Sequence, residues 1–185
     1  MKSMKRVLVP LAPGFEEIEA TTIIDVLRRA GVEVVVAGTV SGPIEGSRGI
    51  RVTADLPLDQ VDAGSFDMIA LPGGGEGVES LKRHPRMLSL LGEFTARGKH
   101  VAAICAAPSL LAAAGLLCGK QVTSHPSVQA QVAPSTLYTE ARVAVDGKII
   151  TSRGPGTAME FALKLVEILV GPEKVRELKA AMLVA

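Results

Sequence analysis

Tryptophan is missing from this chain, tyrosine occurs once and phenylalanine four times, so aromatic residues make up only 3% of 185. That scarcity argues against an aromatic-rich β-sandwich and removes the stacking platforms on which single-stranded nucleic acid is bound. A surplus of either charge is lacking too. The chain has 20 basic and 19 acidic residues, a net charge of +1 and no long run of Lys or Arg, so a nucleic-acid partner is not expected. No stretch of about 18 apolar residues occurs, and no membrane span is expected. The basic start, Met1 to Arg6, leads into Val7 to Gly14, a run too short and too broken by proline for a signal-peptide core. With no address in view, the cytoplasm is the expected compartment. Cysteine is equally scarce. Cys105 and Cys118 make no disulfide framework in a chain this long, and with His84, His100 and His125 they show no metal-ligand spacing such as CxxC or HExxH.

What is plentiful is Val, Ile, Leu and Ala. Hydrophobic residues reach 48%, enough to bury a core within one domain spanning residues 1–185, and aliphatic runs suit a parallel sheet covered by helices. Lys5 to Pro10 reads as a buried strand. Phe15 to Ala30 carries Ile18, Ile23, Ile24, Val26 and Leu27 at mainly helical spacing, with Gly31 as the stop, and Glu33 to Ala37 is a second β-branched run. Gly38 to Leu58, broken by glycines and a proline, reads as a small hairpin or ribbon. Phe66 to Leu71 is a strand running into Pro72-Gly73-Gly74-Gly75. Helices follow over Gly77 to Lys82 and Pro85 to Arg97, then a strand over Lys99 to Ile104 and a helix over Ala106 to Ala114. A short strand fits Lys120 to Thr123. Ala141 to Val145 and Lys148 to Thr151 flank the hairpin signal Asp146-Gly147, before helices over Thr157 to Val170 and Pro172 to Ala181. The alternation predicts a three-layer α/β/α sandwich with a mostly parallel sheet.

In such a sheet ligands bind at the carboxyl ends of the strands. Three loops fall there, after the first strand, after Leu71 and after Ile104, and they converge if their strands are neighbours. Cys105 ends a strand and precedes a helix, flanked by Ala103, Ala106 and Ala107, which leave room for a sharp turn. A thiol at the start of a helix is expected to have its pKa lowered from about 8.5. A buried structural cysteine fits the same spacing. The glycines after Leu71 offer unobstructed N–H groups for a developing oxyanion, or simply a turn. Glu16 and Glu17 suit the first turn of a helix, where the macrodipole favours acids. Glu19, between Ile18 and Ala20, is a candidate to face inward, where a carboxyl beside a thiolate would hold its proton and donate it to sulfur. His125, after the strand ending at Thr123, is a candidate proton shuttle. Cys118 reads as structural.

These residues, taken in order, resemble the ThiJ/PfpI superfamily, and within it the branch of the Parkinsonism-associated protein deglycase and its bacterial relatives. The landmarks are Glu16-Glu17-Ile18-Glu19, Asp25 to Gly31, Leu71-Pro72-Gly73-Gly74, Ala102 to Pro108 around Cys105, Thr123-Ser124-His125-Pro126 and Thr151 to Thr157. The resemblance covers nearly the whole chain and implies a flavodoxin-like fold and a homodimer. It also implies that Cys105 is the reactive cysteine, that Glu19 is its protonated partner, that Gly74 and Ala106 supply backbone N–H groups, and that His125 stands nearby. The implied activities need no cofactor. They are conversion of methylglyoxal or glyoxal to a hydroxy acid, removal of early glycation adducts from protein side chains, and chaperone or peroxide-sensing roles in which the cysteine is oxidised. Protease-like members place His directly after the nucleophile, where this chain has Ala106, and glutamine amidotransferases use a His-x-Glu pair, where His125 is followed by Pro126 and Ser127. Both departures weigh against peptide and glutamine hydrolysis.

Overall fold

The computed structural model describes residues 4–185, so Met1, Lys2 and Ser3 of the basic start lie outside the described residues. The chain runs β1 (Arg6–Leu11), α1 (Glu17–Arg29), β2 (Glu33–Gly38), β3 (Pro43–Glu45), β4 (Arg51–Thr53), β5 (Leu56–Pro57), β6 (Met68–Leu71), α2 (Gly75–Arg83) and α3 (Pro85–Ala96). It continues through β7 (His100–Ile104), α4 (Pro108–Ala113), β8 (Gln121–Val122), α5 (Gln129–Val132), β9 (Leu137–Tyr138), β10 (Val143–Asp146), β11 (Ile149–Ser152), α6 (Ala158–Leu169) and α7 (Pro172–Ala181). Seven strands form the central sheet in the order β10-β11-β7-β6-β1-β2-β5. Every pairing in it is parallel except the β10–β11 hairpin.

Side chains alternate across a strand, so a sheet covered on both faces needs strands that are apolar throughout. β1 meets that demand. Val7, Val9 and Leu11 point to one face, where α1 and α6 supply Ile23, Leu27, Phe161 and Leu165. Leu8 points to the other, toward Val78 and Leu81 of α2, Leu90 and Phe94 of α3, and Leu110 of α4. The same alternation divides Met68 and Ala70 from Ile69 and Leu71, and Ala102 and Ile104 from Val101 and Ala103. Helices cover both faces of a mainly parallel sheet, which is the three-layer sandwich expected from the alternation of elements and the flavodoxin-like fold that the resemblance implies.

Where the observed elements differ from the sequence reading, a local interaction decides. The first helix starts at Glu17 rather than Phe15, because the Glu16 carboxylate caps it by accepting the Glu19 N–H at 2.7 Å. Phe15 stays outside the helix as a fully buried core side chain. The helix after Cys105 starts only at Pro108, since residues 105–107 are spent on a turn. Residues 38–58 hold the expected hairpin, Ile44 opposite Val52, and add a two-residue strand, β5, that extends the sheet beside β2. The strand read at Lys120 to Thr123 is shorter and pairs with β9 outside the main sheet.

β6 lies between β1 and β7, so the loops leaving the carboxyl ends of these three strands are neighbours. The convergence needed for a common site is built into the strand order.

Candidate active site

Cys105 follows the last residue of β7 with φ of +64°, in the left-handed region that side chains other than glycine seldom enter. Such strain costs on the order of 1–3 kcal/mol and persists only where neighbours impose it. They do so at both ends of the residue. The Cys105 N–H donates to the Ser152 carbonyl at 3.0 Å, and the Cys105 carbonyl accepts the His125 N–H at 2.9 Å. With its backbone tied to the end of β11 on one side and to the His125 segment on the other, the thiol is turned out of the strand and left half-buried.

Glu19, in the first turns of α1, is completely buried. One of its oxygens, Oε2, accepts the Gly73 N–H at 2.7 Å, while Oε1 has no hydrogen-bond partner among the described residues. The Cys105 thiol is the neighbour of this carboxyl across Gly73, close enough for each group to shift the titration of the other. The backbone N–H groups of Gly74 and Ala106 lie beside the sulfur and favour its charged form. Glycine is required after Pro72 for steric reasons. A Cβ on Gly73 would stand 2.7 Å from both Cys105 Cβ and Glu19 Oε2, and one on Gly74, at φ of +93°, would stand 2.2 Å from the Gly14 carbonyl oxygen. The bare backbone is what lets the β6 loop approach the thiol.

The expectation of a thiol pKa lowered by a helix terminus does not hold for the free site. Burial, the Glu19 charge and the hydrogen bond with Glu19 push Cys105 up to about 12, against the opposing pull of the Ala106 and Gly74 N–H groups. The helix begins three residues beyond Cys105 and has only six residues, so its dipole offers little. Glu19 is pushed up as well, to about 7, by burial, with the Gly73 and Cys105 hydrogen bonds opposing that rise and nearby Glu16 adding to it. Two acids in contact behave as one titrating unit. The pair gives up a first proton near neutrality and keeps the second into strongly alkaline solution. The single charge left between is held on the carboxylate by Gly73 or on the sulfur by Gly74 and Ala106.

His125 reaches Cys105 through its backbone, not its ring. The ring Nδ1 accepts the Ser127 N–H at 3.2 Å and lies 2.8 Å from the Ser127 hydroxyl, which leaves Nε2 to carry the proton of the neutral ring. Cys118 is exposed in the turn after α4, remote in the chain from the three loops. Two supports were not visible in the sequence. Glu17, which a macrodipole argument places in solvent, is buried, and its carboxylate accepts from the Ser47 hydroxyl at 3.0 Å and from the Arg48 N–H, clamping the loop before β4 to the start of α1. Burial alone would raise its pKa, but the backbone N–H groups and Ser47 outweigh it and hold the carboxyl below the usual range. Behind Cys105, Ser152 Oγ donates to the Arg142 carbonyl at 2.7 Å and lies 2.7 Å from Thr157 Oγ1, which accepts the Gly154 N–H at 3.1 Å. The paired hydroxyls in Thr151 to Thr157 were the available signal.

A raised carboxyl pKa has a definite consequence for stability. Glu19 binds a proton more tightly folded than unfolded, so its favourable contribution is complete below about pH 4.5 and is lost as pH rises through about 7. Wild-type protein should therefore lose stability across that window relative to Glu19→Gln, by on the order of 3 kcal/mol. Urea unfolding at several pH values measures it, and parallel curves for the two proteins would contradict the assignment.

Comparison with known proteins agrees with this architecture. The model of the DJ-1/PfpI family matches residues 5–168. The chain is 45% identical over 183 residues to protein dj-1beta of Drosophila melanogaster, covering 98% of each chain. It is 39% identical over 180 residues to the glutathione-independent glyoxalase DJR-1.2 of Caenorhabditis elegans, covering 96% of each. Among solved structures, Drosophila melanogaster DJ-1beta superposes with a TM-score of 0.95 at 45% identity over 99% of this chain and 100% of the other. Oxidized Toxoplasma gondii DJ-1 superposes with a TM-score of 0.93 at 43% identity over 98% and 99%. The ordered motifs, the strand order and these matches agree, and the chain belongs to the DJ-1/PfpI family.

Proposed function

We propose that this protein is a cofactor-free glyoxalase with Cys105 as nucleophile, converting methylglyoxal or glyoxal to the hydroxy acid and releasing the same groups from early adducts on protein side chains. The contact between the Cys105 sulfur and the buried Glu19 carboxyl carries the reading, because it supplies a nucleophile and a proton carrier with a pKa of about 7 in one place. The glyoxalase named among the relatives supports it.

The reactive form has the charge on sulfur, held by the Gly74 and Ala106 N–H groups, and the proton on Glu19. Sulfur attacks the aldehyde carbon of methylglyoxal. A C–S bond forms, and the carbonyl electron pair moves to oxygen, which takes the Glu19 proton. The Glu19 carboxylate then removes the proton from that carbon, giving an enediolate, and returns it to the neighbouring carbon while the hydroxyl proton of the first carbon passes to the neighbouring oxygen. The product is the lactate thioester of Cys105. Water cleaves the C–S bond, releasing lactate and restoring the thiolate. Methylglyoxal and water become lactate and a proton, with no external oxidant or reductant. The Glu19 contact favours Glu19 as the base. His125, bonded to the Cys105 backbone with its ring tethered by Ser127, serves as a supporting proton donor.

The same thiol supports a second role in peroxide sensing, with chaperone action downstream. Attack of the thiolate on two successive peroxides would give a sulfinic acid and two waters, the sulfinate oxygens meeting the donors that now hold sulfur. The oxidized state of the Toxoplasma gondii DJ-1 structure favours this reading. The homodimer belongs to the same proposal. Ile18 is 56% and Ile50 55% exposed, on the α1 face and on the loop that Glu17 clamps beside it, and a second copy would cover them.

Cys105→Ser is expected to lower lactate formation from methylglyoxal, measured without glutathione, by at least about 100-fold, and Glu19→Gln by a similar factor, with His125→Ala milder. Undiminished turnover in the serine variant would remove the mechanism. Mild peroxide should add two oxygens to Cys105 but not Cys118 on mass spectrometry, and modification of Cys118 alone would exclude the sensing role. Light scattering after size-exclusion chromatography should give twice the chain mass, whereas a monomer would exclude the pairing.

A further inference from the structure

A cleft of about 350 Å³ opens at the amino ends of the central strands, bounded by Lys5, Arg6, Phe66, Lys99, His100 and Lys148. The length of β7, five residues or roughly 16 Å, separates it from Cys105. Its charge is unbalanced. Asp67 is the lining carboxylate; its oxygens are taken by Lys5 Nζ at 2.8 Å and the Arg6 N–H at 3.0 Å. Glu33 pairs with Arg6 at 2.8 Å. Lys99 spends its ammonium protons on the Ala63, Gly64 and Phe66 carbonyls, which are dipoles and cancel no charge. Lys148 forms no ion pair among the described residues, and its Nζ stands 3.4 Å from His100 Nε2. Four cations, Lys5, Arg6, Lys99 and Lys148, thus meet two carboxylates. Burial and then Lys148 and Lys5 push the His100 pKa down, as expected beside excess positive charge. Arg6 Nε is buried without an acceptor among the described residues.

We propose that this cleft is a second, non-catalytic site that binds the phosphate group of a small phosphorylated molecule. A phosphate monoester carries nearly two negative charges near neutral pH, which matches the two uncompensated positive charges. Lys148 and the His100 ring N–H are the lining donors committed to no internal oxygen among the described residues, and charge-assisted bonds of this kind are the strong ones. Phe66, with the Arg6 guanidinium 4.9 Å above its ring, and Ile168 and Leu169 form the apolar walls for the body of the ligand. The two donors are held together by the sheet itself, since β11 runs parallel to β7 with Ile149 beside Val101, and the Val101 N–H donates to the Lys148 carbonyl at 2.9 Å.

The test is titration of the isotopically labelled full chain with inorganic phosphate, with chloride adjusted to hold ionic strength constant. Saturable shifts of the His100, Val101 and Lys148 amides are expected in the millimolar range, retained in Cys105→Ser and weakened at least about 10-fold in Lys148→Ala and Lys148→Gln. Lys148 is exposed on the β10–β11 turn, so both variants should fold, and an otherwise unchanged spectrum checks this. Shifts that do not saturate, that chloride alone reproduces, or that survive undiminished in both Lys148 variants would overturn the proposal.

Discussion

The contact between a thiol and a carboxyl in a space with little water is the constraint around which this molecule is arranged. Neither acid can lose its proton without placing charge beside the other, so the pair ionises once near neutrality and resists a second ionisation. Every nearby feature bears on where that one charge sits. Gly73 offers its N–H to the carboxylate, Gly74 and Ala106 offer theirs to sulfur, and the steric demands at Gly73 and Gly74 keep those donors close. The left-handed backbone of Cys105, fastened by Ser152 and His125, holds the sulfur where these donors meet it.

This arrangement changes the electrostatic account of the cysteine. A helix dipole acting on an exposed thiol would lower its pKa continuously with orientation. A shared proton instead makes the thiolate conditional on its partner being protonated. Nucleophile and acid are then generated in one step. That property suits attack on an aldehyde, where the new alkoxide needs a proton as soon as it forms. The same protonated carboxyl would be a donor to an oxidised sulfur, so the proposed catalytic and sensing roles would draw on one electrostatic feature.

The two ends of the sheet are electrostatically different. At the carboxyl ends, backbone N–H groups and the Glu19 carboxyl lie beside the sulfur, and among the described residues no cation acts on it. At the amino ends, lysines and an arginine gather around strand starts and leave positive charge uncompensated. Parallel strands make such a division natural, because all of their starts lie on one edge and all of their exits on the other.

Much was determined by the sequence alone. The aliphatic runs and their alternation specified the layered fold, since a strand apolar on both faces has no other stable environment. The ordered motifs around Glu19, Gly74 and Cys105 specified the family, and they pointed to three residues that the structure brings together. Only the tertiary structure decided the charge state of the thiol, because burial and the identity of the contacting group depend on β1, β6 and β7 being neighbours. It alone revealed that Glu17 is a buried clamp, that Ser127 holds the His125 ring, and that Lys148 and His100 share a cleft. Those contacts join residues far apart in the chain, or depend on side-chain orientation, and neither is written in local periodicity.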